Sequence, residues 1–356
     1  MAGCITKRTV TAGSRVIGAG HNCFVVAEIG INHNGDMELA RDEIAAAADA
    51  GADSVKFQNY RTEDFVSDRA LMFEYRSQGR KTVESQYEMF KRCELSRDQV
   101  ALLKETANQH ELDFHSTPTS VDGIQTLKDI GCAIVKNGSD YLTHLDLIRA
   151  MGESGLITVL STGMATAAEI DNAVSAFRET GNDALILLQC TSSYPTPPED
   201  VNLVRLLTLT AAFDVPVGIS DHSVGTTAAV GAIVLGACWI EKHFTLDRNL
   251  PGPDHWFSMD PKELRELVTV VRDAERMVGS RIIAPTDSEA RARRNYRLSC
   301  VAAKDMEAGE VISKKDIEFQ RPGEGIPPSR VDFLVGLKLQ HSLKKGEQYK
   351  KEHFRD

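Results

Sequence analysis

Eight short apolar runs, each closing on polar residues suited to phosphate or metal, constrain this chain more than any other feature. They are FVVAE ending at Glu28, SVKFQ at Lys56 and Gln58, LDFHST at Ser116 and Thr117, and AIVK at Lys136. The others are ITVLST ending at Ser161, ALILLQC at Gln189 and Cys190, VPVGISDH at Ser220 and His222, and CWIEKH at Lys242 and His243. Stretches with helical spacing of apolar residues separate them. Strands alternating with helices predict a parallel sheet, and eight repeats predict closure into an α/β TIM (β/α)8 barrel of about 250 residues. Such a barrel carries its chemistry at the C-terminal ends of its strands, where these polar residues fall.

The chain has 356 residues, which suits a barrel plus a small second domain. Its formal charge of −10 disfavours nucleic acid as a partner. No apolar run approaches the roughly 20 residues that span a bilayer, and the first residues lack the apolar core of a secretory signal. The seven cysteines are odd in number, scattered and never in a Cys-x-x-Cys pattern, which predicts free thiols in a reducing, cytoplasmic setting.

Helix signals are clearest at Met37–Ala50, with Asp36 as N-cap and Gly51 as stop, and after Ser96 in SRDQVALLKETANQH. Further helices are predicted near Val121–Ile130, Leu145–Met151, Ala167–Thr180, Val201–Ala212, Gly225–Gly236 and Pro261–Val278. Residues 61–95 form a long insertion after the second strand, on the active side, where it is predicted to roof the site. The barrel domain is therefore assigned to 1–280, with the barrel itself from about residue 22, followed by a polar, basic linker at 281–297. From 298 to 356 short β-like runs punctuated by glycines predict a small, mostly β domain. Its Arg321 sits in a turn from which it could carry positive charge to a neighbouring site.

His222 and His243 end consecutive strands and should lie side by side despite the 21 positions between them. Two imidazoles completed by water and substrate would make an open, Lewis-acidic metal site; two histidines hydrogen-bonded at strand ends are the plainer reading. The neighbouring acids of SDH and EKH could orient such imidazoles. Lys56 and Lys136 are the sole charges ending apolar runs. Aimed into the barrel mouth they would attract a small polyanion, with Ser116, Thr117, Ser139, Ser161 and Ser220 as hydroxyl donors; exposed lysines or a Schiff-base lysine are the alternatives. Glu28 could be a general base, a holder of a substrate hydroxyl, or a buried acid paired with a rim lysine. Asp254, in a Pro- and Gly-stiffened loop, and Tyr194, in SSYPTP, are placed to meet sugar hydroxyls.

AEIGINHNG, VKFQ, STP, LSTGMAT, YPTPPEDVNL, SDHSVG, EKHFTLD and GPDH occur in order along the chain. Through them the sequence resembles the sialic acid synthase family from about residue 15 to the end, and KDMEAGEVISKKDIEFQRPGEGI resembles its C-terminal antifreeze-like domain. The resemblance implies condensation of phosphoenolpyruvate with N-acetylmannosamine or a close hexosamine, giving a nine-carbon 2-keto-3-deoxy acid and phosphate by C–O cleavage. It implies a divalent metal on His222 and His243, manganese first, with magnesium or cobalt as alternatives. It places phosphoenolpyruvate on Lys56, Gln58, Thr117, Lys136, Ser139, Ser161, Ser192 and Ser220, and the sugar on Tyr141, Tyr194, Asp254 and Arg321. Glu28, Lys56 and Lys136 take the catalytic roles. It also implies a domain-swapped homodimer in which Arg321 reaches the partner's barrel.

Three departures bear on the sugar. Tyr141 stands where the family has a sugar-contacting acid, Ser192 where an asparagine is common, and Lys81 near another asparagine. A 2,4-diacetamido-6-deoxyhexose, as in legionaminate or pseudaminate synthesis, is therefore the alternative substrate. The rival of a different class is a non-catalytic carbohydrate- or ice-binding protein, against which the tail offers no regular threonine array.

Overall fold

The computed structural model describes residues 8–12 and 15–354, which fall into two compact units, Met1–Ser280 and Arg281–Asp356. Cys4 lies outside the described residues; the other six cysteines are buried.

The first unit opens with an antiparallel hairpin, β1 (Thr9–Ala12) and β2 (Arg15–Gly18). Eight parallel strands follow: β3 (Phe24–Gly30), β4 (Ser54–Asn59), β7 (Asp113–Pro118), β8 (Ile134–Asn137), β9 (Ile157–Ser161), β10 (Leu185–Cys190), β11 (Val217–Ser220) and β12 (Trp239–His243). They close in sequence order, β12 pairing with β3, into the barrel that the polar-ended runs predict. Between β4 and β7 the insertion forms α2 (Thr62–Phe65), an antiparallel hairpin of β5 (Met72–Ser77) and β6 (Arg80–Ser85), and α3 (Gln86–Cys93).

The outer helices are α1 (Met37–Ala50), α4 (Arg97–Gln109), α5 (Val121–Asp129), α6 (Leu145–Glu153), α7 (Ala167–Arg178), α8 (Arg205–Phe213), α9 (Thr227–Val234) and α10 (Pro261–Val278). Their starts are set by side-chain caps. The Asp36 carboxylate accepts from the amides of Glu38 and Leu39, and capping boxes open α4 (Ser96 with Gln99), α7 (Thr166 with Glu169) and α10 (Asp260 with Glu263). Helix α8 starts four residues after the predicted Val201, because Asn202 adopts a left-handed φ of 52° behind a 3-10 turn at Pro198–Asp200.

Alternation along each strand divides two cores. Outward residues such as Val55, Phe57, Val135 and Leu187 pack under the helices. Inward residues at the N-terminal ends, among them Phe24, Val26, Ile157, Val159, Ile186, Leu188 and Trp239, fill the barrel. The β1–β2 hairpin closes that end, adding Val10, Ala12 and Ile17 to the same cluster. Gly218 makes room here: a Cβ on it would stand 2.4 Å from the Trp239 Cβ. The inward face thus turns from apolar at its floor to polar at its mouth.

In the second unit α11 (Ala290–Tyr296) lies within the stretch read as a linker, and its Arg294 carbonyl accepts from the Gly323 amide at 2.7 Å. Strands β13 (Ser299–Ala302) and β14 (Ile317–Gln320) pair antiparallel over a small core that includes Cys300, Met306, Leu334 and Tyr349. No helix among the described residues is long and apolar enough to cross a membrane.

Candidate active site

A cavity of about 670 Å³ opens at the C-terminal ends of the barrel strands. Fourteen of the fifteen candidate residues line it: Glu28, Lys56, Gln58, Thr117, Lys136, Ser139, Tyr141, Ser161, Ser192, Tyr194, Ser220, His222, His243 and Asp254. The fifteenth, Arg321, belongs to the second unit, where its guanidinium lies over the Tyr296 ring, 5.4 Å from the centroid. Ser116 is corrected: it is buried and absent from the cavity wall, since its neighbour Thr117 takes the inward face of β7 and adjacent strand residues point oppositely.

The lysines do not reach solvent as snorkelling side chains; Lys56 is 5% and Lys136 2% exposed. Both meet one carboxylate that the sequence reading left among the acids flanking the imidazoles. Glu241 Oε1 accepts from Lys56 Nζ at 2.7 Å and from Ser220 Oγ at 3.1 Å, and lies 3.5 Å from Lys136 Nζ. Glu28 Oε2 is 3.4 Å from Lys56 Nζ, and its Oε1 is 3.4 Å from Gln58 Nε2. Strand register explains this grouping, for His243 stands opposite Glu28, and Glu28 opposite Lys56, across three neighbouring strands.

The two carboxyls are driven apart. Burial raises Glu28 to about 7 against the pull of Lys56, while the two lysines overcome burial and hold Glu241 well below the usual carboxylate range. Such a divergence separates a proton carrier from a fixed charge. Lys56 is held above its ordinary value because its two carboxylate partners outweigh burial; Lys136 falls below its own because burial prevails.

His222 and His243 face each other with ring centroids 5.4 Å apart. The His222 Nδ1 lies 2.9 Å from the Thr191 carbonyl, which as an acceptor assigns the proton to Nδ1 and leaves Nε2, 3.4 Å from Ser220 Oγ, with its lone pair. His243 Nδ1 is buried without a hydrogen-bond partner, 3.9 Å from Asp254 Oδ2. The flanking acids do not orient these rings. Asp221 instead pairs with Lys242 at 2.9 Å, on the opposite face of the strands, and Glu241 serves the lysines. Burial keeps His243 neutral and raises Asp254 to about 6. Among the described residues no group of three or more His, Cys, Asp or Glu side chains is arranged to hold a metal ion. The lone pair on His222 Nε2 and the buried, unpartnered Nδ1 of His243 fit a cation held by these two protein ligands.

The walls come from loops locked by neighbouring loops. Asn32 Nδ2 donates to the Phe244 carbonyl at 2.7 Å and to Ser258 Oγ at 3.0 Å, and Ser258 Oγ donates to the Asp254 carbonyl at 2.6 Å. Asn34 donates to the Pro251 carbonyl at 2.7 Å. The asparagines of INHNG therefore hold the GPDH loop that presents Asp254. Gly163 lies against the Ser139 and Ser192 hydroxyls so closely that a Cβ would meet them at 2.7 and 2.5 Å. The insertion roofs the cavity with Phe65, Phe73, Tyr75 and Phe90, and Trp256 completes this aromatic wall beneath Arg76.

The chain matches the NeuB family over residues 43–283 and the SAF domain over residues 299–355. It is 39% identical over 345 residues to N,N'-diacetyllegionaminic acid synthase of Legionella pneumophila, covering 96% of this chain and 97% of that one. It is 36% identical over 326 residues to the Campylobacter jejuni protein of the same name, covering 91% and 98%. The crystal structure of N-acetylneuraminic acid (sialic acid) synthetase from Leptospira borgpetersenii in complex with citrate superposes with a TM-score of 0.73 at 36% identity, covering 81% of this chain and 95% of that one. A buried lysine pair, two facing imidazoles and a closed barrel thus sit in a chain that belongs to the NeuB family and carries a SAF domain at its C-terminal end.

Proposed function

We propose that this chain is a phosphoenolpyruvate-dependent nonulosonic acid synthase acting on a 2,4-diacetamido-6-deoxyhexose of the legionaminate type. The observation that carries the reaction class is the buried Lys56–Glu241–Lys136 group facing the His222–His243 pair across one cavity. Ammonium groups and hydroxyls there suit the phosphate and carboxylate of phosphoenolpyruvate, held by Lys56, Lys136, Gln58, Thr117, Ser139, Ser161, Ser192 and Ser220.

The enol carbon of phosphoenolpyruvate attacks the aldehyde carbon of the open-chain sugar. Water adds to the resulting cationic centre at C2, the tetrahedral adduct expels phosphate with C–O cleavage, and the hydroxyl proton released as the C2 ketone forms balances the one taken up by the former aldehyde oxygen. Glu28, poised near neutrality, takes the proton from the attacking water and returns it to the departing group. Lys56 and Lys136 balance the charge moving onto phosphate. A divalent cation, manganese first and magnesium or cobalt as alternatives, would be held by His222 and His243 and would supply Lewis-acid polarisation of the aldehyde oxygen.

The substrate reading draws on the two diacetyllegionaminic acid synthases among the relatives. The phenol of Tyr141, in place of a carboxylate, and the aromatic roof suit acetyl and deoxy-methyl groups better than a hydroxyl-rich sugar. N-acetylmannosamine is the second reading, favoured by the Leptospira likeness. A phosphate-release assay with phosphoenolpyruvate, manganese and both sugars decides between them. Faster turnover of N-acetylmannosamine would reverse the assignment, and release with neither sugar would end the proposal. Arg321 completes the sugar site in this reading, reaching the barrel of the partner in a domain-swapped homodimer.

A further inference from the structure

Below the cavity mouth the barrel interior is strongly charged, and Glu241 is its hub. The side chain is 3% exposed, its Oε1 carries the three contacts with Lys56, Lys136 and Ser220, and its Oε2 is buried without a partner. The titratable groups turned toward it are Glu28 from β3, Lys56 from β4, His115 from β7, Lys136 from β8 and His222 beyond β11, with His243 on its own strand, while Cys190 from β10 faces His222 and Lys136. His115 lies edge-on to Trp239, ring centroids 5.3 Å apart, and its Nδ1 is 2.9 Å from Ser54 Oγ. Since Ser54 donates to the Asp113 carbonyl at 2.8 Å, His115 carries its proton on Nδ1. Burial keeps that ring neutral, so it adds no cation beneath the lysines. Of the two lysines Glu28 meets only Lys56, which leaves Glu241 as the carboxylate common to both ammonium groups among the described residues.

We propose that Glu241 is the positioning residue of the anion seat: its one carboxylate fixes Lys56 and Lys136 so that both point their charge at the phosphoenolpyruvate oxygens. Two buried ammonium groups without it would repel each other and be left as unpaired charges, a state that side chains escape by losing a proton. Lys136 is nearest that limit, for burial already holds it low and Glu241 is the strongest influence opposing burial. A glutamine at 241 keeps the shape and the Ser220 contact but removes the counter-charge. Anion binding then survives at low pH, where the lysines remain protonated, and fails as pH rises.

This inference rests on phosphoenolpyruvate being the ligand of the cavity, and calorimetric titration of the full-length chain with phosphoenolpyruvate separates the two claims. Relative to wild type at the same pH, Glu241→Gln should bind within about threefold at pH about 6.5 and lose about tenfold or more by pH about 8.5, one pKa unit being worth about a factor of ten. Equal affinity at both pH values would overturn the role, and so would an equal loss at both, which a merely structural residue would give. Absence of binding by the wild type would overturn the ligand assignment itself. Melting curves establish that the variant is folded. Should it not fold, Glu241→Asp takes its place: the retracted carboxylate should weaken phosphoenolpyruvate several-fold with the KM for sugar unchanged, and unchanged affinity for both would overturn the proposal.

Discussion

Two carboxyl groups in one cavity behave oppositely because of what each touches. Glu28 meets one lysine at 3.4 Å and stays close to neutrality, whereas Glu241 meets two and remains ionised. With Glu28 acting first as a base, kcat/KM should rise with pH through about 7. Glu28→Gln should lower kcat by about 10²–10⁴-fold and erase that limb, while leaving phosphoenolpyruvate binding in place. A full set of pH–rate profiles for both proteins reads this out; an unchanged limb in the variant would assign it to another group. Glu43 makes a separate point. It is fully buried on α1, neither oxygen has a hydrogen-bond partner, and burial raises its pKa well above 4.5. The folded chain therefore holds that proton more tightly than the unfolded one. The stability tied to it is complete below about 4.5 and is lost as pH rises toward the folded value. Glu43→Met should raise Tm more at pH about 7.5 than at pH about 5, and thermal melts at the two pH values that showed no gain would contradict it.

Among the elements, the strands were legible because polar residues stop apolar runs abruptly, and all eight ends line up at one rim. Glu241 was available by the same logic. Trp239, Glu241 and His243 share a strand face, so an inward His243 entails an inward Glu241, while Lys242 and its partner Asp221 must face away. The hairpin β1–β2 was missed, although TVTA and RVIG are both rich in β-type residues, because its role depends on docking against strand starts far along the chain. The roof had the same limit: its position followed from loop length, but which aromatics face the cavity is a product of tertiary packing. Ile17, 1% exposed beneath the barrel, tests the floor. Ile17→Ala should cost about 2–4 kcal/mol of stability with kcat nearly unchanged, checked by denaturant melts and initial rates. A loss of activity without a loss of stability would mean that the floor communicates with the mouth.

At the scale of the whole molecule, the chain unites an acidic surface overall with a cationic seat sunk in the barrel, where low polarity strengthens every contact. Family membership accounts for the SAF domain at the C-terminus, and the proposed dimer gives Arg321 its use. Mixing Arg321→Ala with Lys56→Ala subunits should restore part of the activity that each lacks, since one of the composite sites regains both groups. No recovery after verified subunit exchange would reject the swap. Removal of divalent metal by a chelator should abolish turnover and manganese should restore it; full activity in chelator would separate the imidazole pair from metal. The central claim, phosphoenolpyruvate condensation with C–O cleavage in this cavity, meets its most direct test in phosphoenolpyruvate labelled with heavy oxygen at the bridging position. Turnover with the diacetamido sugar should carry the label into inorganic phosphate, whereas label retained in the nine-carbon acid would contradict it.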